Sequence, residues 1–155
     1  MSELFTNLYN AYFTLSGADK YIIGKQRRIV SQSENAYLLH LETRDVTYLN
    51  WFYGNPTCGL ISENEDWAVM AGDFELTVWY EGEHDEEEVI TIDTDPVFDM
   101  RQKDEETVEL LVGILYLDAA VWELNIKTMQ LRRTAHYTDY FNREYLSKCT
   151  IVGAL

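Results

Sequence analysis

Proline, cysteine and glycine are scarce in this chain of 155 residues, which holds two, two and eight of them. So few chain breakers leave no sign of a flexible linker, and a single domain over 1–155 is the simplest division. Cys58 and Cys149 could form one bridge, but two cysteines make no disulfide framework. No Cys or His pair has zinc-ligand spacing, so no structural metal is expected. No apolar run approaches the roughly 18 residues of a membrane span. The opening "MSELFTNLYNAYF" lacks the basic region and apolar run of a secretory signal. The expectation is a cytoplasmic protein with reduced thiols and no membrane partner.

Catalytic signatures are missing as well. There is no G-x-S-x-G, no S-x-x-K, no Walker loop and no G-x-G-x-x-G. His40, His84 and His136 lie in three separate segments. Nothing here implies an enzyme or a cofactor.

Positive charge is the last thing in short supply. The chain has 12 Lys and Arg against 27 Asp and Glu, a net charge of −15. Residues 63–109 hold 18 of the acids and only Arg101 and Lys103 as bases, a balance of −16, so the remainder carries +1. Such a segment repels nucleic acid. It also destabilises the compact state by self-repulsion while steering a basic partner into contact.

What is abundant is apolar and aromatic: 46% hydrophobic residues, with four Trp, eleven Tyr and six Phe. That composition builds a globular core, not a disordered acidic tail. Leu4, Phe5, Leu8, Tyr9, Tyr12 and Phe13 recur at helical spacing, with Ser2 as an N-cap, which predicts a short N-terminal helix ended by Gly17. Beyond it the period shortens toward two. "YIIGKQRRIV", "AYLLHLET", "DVTYLNWFYG", "CGLIS", "WAVMA", "FELTVWY", "EEVITID" and "PVFDMRQ" read as strands. Gly72-Asp73 fits a type II′ hairpin turn between two of them. "ETVELLVGILYL" suits either helix or buried strand. The strand reading is preferred because Gly113 weakens a helix by about 1 kcal/mol. "AAVWELNIKTMQLRRTAHY" reads as two strands joined at "NIKT". No sequence repeat is visible. The fold expected is mainly β with minor helix: an antiparallel meander forming a sandwich or a strongly curved sheet.

"EGEHDEEEVITIDTD", residues 81–95, is the most acidic stretch, with eight carboxylates. Asp93 and Asp95 on a strand would share one face about 6.6 Å apart. Asp99 could join them around a hard cation, but the calcium-loop spacing is absent and no metal is assigned. Acid–base catalysis needs one carboxyl in apolar surroundings, and these acids sit among their own kind. A partner-binding role therefore falls on Glu83, Asp85, Glu86, Glu87, Glu88, Asp93 and Asp95. Tyr137 and Tyr140, from the Tyr- and Arg-rich "HYTDYFNREYL", join them as interface aromatics. The four Trp, in strand patterns, are expected in the core. "GKQRRIV" and the pair Arg132-Arg133 could mark a phosphate site, but on strand patterns such arginines are expected to be solvated or to pair with nearby acids.

"CGLISENEDWAVMAG", "LTVWY" and "VWELNIKTMQLRR" together resemble, in style and across roughly half the chain by eye, small β-rich immunity proteins of bacterial toxin systems. That resemblance implies an inhibitor that neutralises a cognate toxin by covering it, and an acidic one fits a basic target such as a nuclease. It carries no residue roles with it. A nucleic-acid mimic that occupies DNA-binding grooves, and an enzyme with an unrecognised carboxylate or metal site, stand as alternatives. A mimic needs acids spread over its whole surface at phosphate-like spacing, whereas these crowd into one third of the chain.

Overall fold

A computed structural model describes residues 20–54, 56–113, 120–136 and 152–153. The described residues form thirteen strands in three antiparallel sheets. The first sheet holds β1 (Lys20–Ile23), β2 (Arg27–Gln32), β3 (Asn35–His40) and β4 (Val46–Trp51), with β13 (Val152–Gly153) beyond β1. The second holds β5 (Cys58–Ile61), β6 (Trp67–Ala71), β7 (Glu75–Glu81) and β8 (Glu87–Asp93). The third holds β9 (Val97–Gln102), β10 (Thr107–Val112), β11 (Ala120–Asn125) and β12 (Leu131–His136). Apart from β13, which pairs with β1, each sheet is an up-and-down meander in which sequence neighbours are spatial neighbours.

The second sheet is the middle layer, and β6 shows why. All five residues of "WAVMA" are buried. Trp67, Val69 and Ala71 pack toward the third sheet with Leu76, Val78, Met100, Val108, Leu110 and Leu124. Ala68 and Met70 pack toward the first sheet with Trp79, Ile29, Leu38, Leu49 and Phe52. A strand covered on both faces reads as a continuous apolar run, whereas one covered on a single face alternates. Alternation returns in β8, where Ile90 and Ile92 are half-buried between exposed neighbours. Gly59 on β5 permits close approach of the first sheet, since a Cβ there would lie 2.6 Å from Ile22 Cδ1.

A repeat is therefore present in topology although not in sequence. Three four-stranded meanders follow one another, and β5 packs against both β1 and β9. Successive four-stranded sheets are how propeller blades are laid down. Among the described residues they close neither a ring nor a barrel.

A buried carboxylate ties the first two layers together. Glu65 Oε1 accepts from the backbone N–H of Gln26 and Arg27, both at 3.1 Å. The Glu65 carbonyl accepts from Arg27 Nη1 at 2.7 Å. Arg27 then lies over Trp79, its Cζ 4.9 Å from the ring centroid.

The strand preferred for one ambiguous segment is present, and other expectations change. "ETVELLVGILYL" forms a strand over Thr107–Val112, because pairing with β9 and β11 satisfies both of its edges. Gly113 leaves it at φ +69°. The β6–β7 turn is not centred on Gly72-Asp73. Gly72 N–H donates to Glu75 O at 2.9 Å, so the central pair is Asp73 and Phe74. None of these residues has positive φ, which excludes a type II′ turn. "YIIGKQRRIV" is two strands folded at Gly24, not one. The predicted N-terminal helix lies outside the described residues. No helix among the described residues is long and apolar enough to cross a membrane.

Candidate protein-interaction surface

The acidic stretch forms the turn and second strand of the β7–β8 hairpin. Glu83–Asp85 make a single 3-10 turn in which His84 takes left-handed φ of 62°. Gly82 N–H closes it on Glu86 O at 2.6 Å. Tyr80, Glu81, Glu83, His84, Glu86 and Glu88 line an open concavity of about 690 Å³ over this turn. Lys127 stands at its rim, engaged by Glu106 at 3.2 Å.

These carboxylates divide into two kinds. The ones at the base are anchored. Glu81 Oε2 accepts from Arg27 Nη2 at 2.8 Å. Glu87 Oε1 lies 2.6 Å from His40 Nε2, and Glu87 Oε2 accepts from the Thr47 hydroxyl at 2.9 Å. Glu88 accepts from the Tyr80 hydroxyl, and that bond pushes the phenol's pKa up. The ones at the tip are not anchored: Glu83 and Glu86 are exposed and make no ion pair among the described residues.

Thr47, His40 and Glu87 are a hydroxyl, an imidazole and a carboxylate within bonding distance. They do not form a nucleophile relay. Thr47 Oγ1, at 3.0 Å, and Glu87 both meet the same ring nitrogen, Nε2. A relay needs the carboxylate on the opposite nitrogen. The cluster joins the first sheet to the second, and the His40 ring also packs edge-on to Trp79 at 5.7 Å. No group of three His, Cys, Asp or Glu side chains suited to a metal is assembled among the described residues.

The predicted interface residues therefore do not form one cluster. Glu83, Glu86, Glu87 and Glu88 sit at or beside the turn, and Asp85 belongs to it by its backbone. Asp93 and Asp95 lie at the far end of β8, about 20 Å away at the usual strand rise. There they edge a depression of about 380 Å³ floored by Leu110, Val112, Trp122 and Leu131. Tyr137 and Tyr140 lie outside the described residues.

The far end of β8 also carries a feature absent from the sequence expectations. Trp51, Tyr53 and Phe74 are 51%, 65% and 56% exposed. Trp51 and Tyr53 meet edge to face at 6.2 Å, and Tyr53 and Phe74 lie 5.9 Å apart. Trp51 ends β4, and Phe74 occupies the β6–β7 turn. Acids rim the cluster. Asn50 Nδ2 donates to Glu75 at 2.5 Å, and Glu34 accepts from Gly54 N–H at 3.4 Å. Gly54 has φ +82°, and a Cβ there would meet Asp73 Oδ2 at 3.3 Å. Thr94 N–H donates to Phe74 O at 2.9 Å, which places Asp93 and Asp95 at the same end.

Of the four Trp expected in the core, Trp67 and Trp79 are buried, Trp122 is half-buried and Trp51 is exposed. A signal for this was available in "NWFYG". Phe52 is fully buried, and its two neighbours in an extended chain must point away from it.

No family model and no curated protein sequence matches the chain. Among solved structures it is similar to the N-terminal domain of Nup159, with a TM-score of 0.49 and 13% identity over 77% of this chain and 34% of that one. It is similar also to the tricorn protease, with a TM-score of 0.48 and 16% identity over 74% of this chain and 12% of that one. The chain thus spans well under half the length of either protein.

Proposed function

We propose that this protein is an acidic protein-binding inhibitor of the immunity type, which neutralises a basic protein such as a nuclease toxin by direct contact. The observation that carries the reading is the exposed Trp51–Tyr53–Phe74 cluster with carboxylates around it. Clustered, solvent-facing large aromatics favour burial against a partner, and their composition is that of binding hot spots. The acidic rim and the outward Glu83 and Glu86 supply long-range attraction, while the rings supply desolvated contact. The partner is a protein with a Lys- and Arg-rich face. Nucleic acid and membrane are not its targets.

The test is survival. The product of the adjacent reading frame is expressed in a bacterial host with and without this protein. Rescue from killing, with the two proteins co-purifying as a complex, is the expected result. A toxin that kills equally in its presence would sink the inhibitor reading.

A further inference from the structure

Each sheet has two edge strands: β13 and β4 in the first, β5 and β8 in the second, and β9 and β12 in the third. Sheet edges expose unpaired backbone N–H and C=O groups, and proteins blunt them with bulges, prolines or charge. The β3–β4 pairing shifts register between Ala36 and Tyr37. The β11–β12 pairing shifts between Val121 and Trp122. The β7–β8 pairing runs unbroken for seven residues, from Glu75 opposite Asp93 to Glu81 opposite Glu87. β8 contains no proline, and among the described residues nothing pairs with its second edge. Five of its seven residues are exposed and two are half-buried. Of the remaining edges, β5 is regular but mostly buried, β9 pairs with a register shift, and β13 has only two residues. β8 is thus the longest exposed regular edge among the described residues, guarded by charge.

That charge is selective in what it excludes. A second copy pairing β8 against β8 in parallel register would set Glu87 against Glu87. In antiparallel register it would set Glu87 against Asp93. Like charges directly opposite one another destabilise a strand pair in either case. A strand carrying Lys or Arg meets no such barrier. The edge also connects the acidic concavity at Glu83 and Glu86 with the aromatic cluster at Phe74.

We propose that β8 receives an extended basic segment of the protein partner as a fifth strand of the second sheet. This deepens the reading above and rests on it. Backbone hydrogen bonds along β8 supply much of the affinity, and alternate side chains supply the selectivity. The added segment places cationic residues toward Glu83, Glu86 and Glu88. It places apolar or aromatic residues toward Tyr53 and Phe74.

Amide hydrogen exchange, read residue by residue by NMR on the full chain, tests this. The probe is a twelve-residue peptide of alternating Arg and Val. A control peptide of equal charge has proline at every third position and cannot form a strand. In the free protein, alternate β8 amides exchange fast because they face the open edge, and the intervening ones, bonded to β7, exchange slowly. Saturating Arg-Val peptide should slow the fast set at least tenfold, and the proline peptide should leave it unchanged. Slow exchange at every β8 amide in the free protein would overturn the proposal, since the edge would already be occupied. Binding that shifts the turn resonances around Glu83 and Glu86 but leaves the fast amides fast would overturn it too, while leaving the protein-binding reading intact. Failure of both peptides to bind would remove the strand-addition proposal and the basic-partner assignment together.

Discussion

Glu87 at the start of β8 in the second sheet and His40 at the end of β3 in the first meet at 2.6 Å. With Arg27 and Glu81 at 2.8 Å they pin the base of the acidic hairpin to the neighbouring layer. The acids at the base therefore hold the two layers together, whereas Glu83 and Glu86 at the tip make no ion pair among the described residues.

Replacing His40 by Gln keeps a polar side chain but removes the imidazole contact with Glu87. Glu87 is about one third exposed (36%), so the stability cost should be small, about 0.5 kcal/mol. The informative readout is local. Amides of residues 83–86 should exchange faster in the variant, with the rest of the protein unchanged. Equal exchange would mean that the hairpin holds its position without this contact.

Single substitutions Trp51→Ser, Tyr53→Ser and Phe74→Ser should each leave stability within about 0.5 kcal/mol, as exposed positions do. Against the partner each should raise the dissociation rate, with at least one costing about 2 kcal/mol. Urea denaturation and dissociation kinetics separate the two effects. A large loss of stability would show the rings to be packing residues.

The pair Glu83→Lys and Glu86→Lys should act on encounter. The association rate with the partner should fall about tenfold at low salt and lose most of its salt dependence, with little change in dissociation. Unchanged association would contradict steering by this turn.

Glu65 should be the least replaceable acid. Its carboxylate holds two backbone N–H groups near Gly24, and Glu65→Ala would strand them, at a cost of about 2–4 kcal/mol. Gly24→Ala should be comparably severe, because its Cβ would lie 2.1 Å from Glu65 Oε1 and 2.6 Å from Arg27 O. Chemical denaturation of both variants is the check.

The third sheet carries a pH signature. Hydrogen bonds from Lys103, then Arg132, hold Glu123 below the usual carboxylate range, against burial that raises it. A depressed folded pKa stabilises above the unfolded value, near 4.3, and that contribution is lost as pH falls through the folded pKa. Glu123→Gln should therefore be less stable than the parent at pH 7, by about 1 kcal/mol or less given its exposed cationic partners. The two should converge toward pH 3. A gap that persists at low pH would assign the loss to packing.

Much of the β architecture was legible because its signals are local. "VITID" alternates as an outer strand does, and "WAVMA" is solidly apolar because both its faces are covered. The three-sheet stacking was not legible, since nothing in the strand sequences repeats to mark the four-strand unit. The acidic turn was readable as a surface feature, but its division was not. Whether Glu87 or Glu86 is anchored depends on where β3 places His40 and β4 places Thr47. The aromatic cluster escaped notice because Tyr53 and Phe74 lie 21 positions apart and meet only when the first two sheets stack.

The central claim is that the aromatic and acidic surface binds and silences a basic toxin. The direct measurement is survival of a host expressing that toxin together with either the parent protein or a Trp51→Ser, Tyr53→Ser, Phe74→Ser variant of verified fold. The account predicts rescue by the parent and loss of rescue by the variant, with survivors falling at least a hundredfold. Equal rescue by the two would contradict it and place the functional surface elsewhere on the molecule.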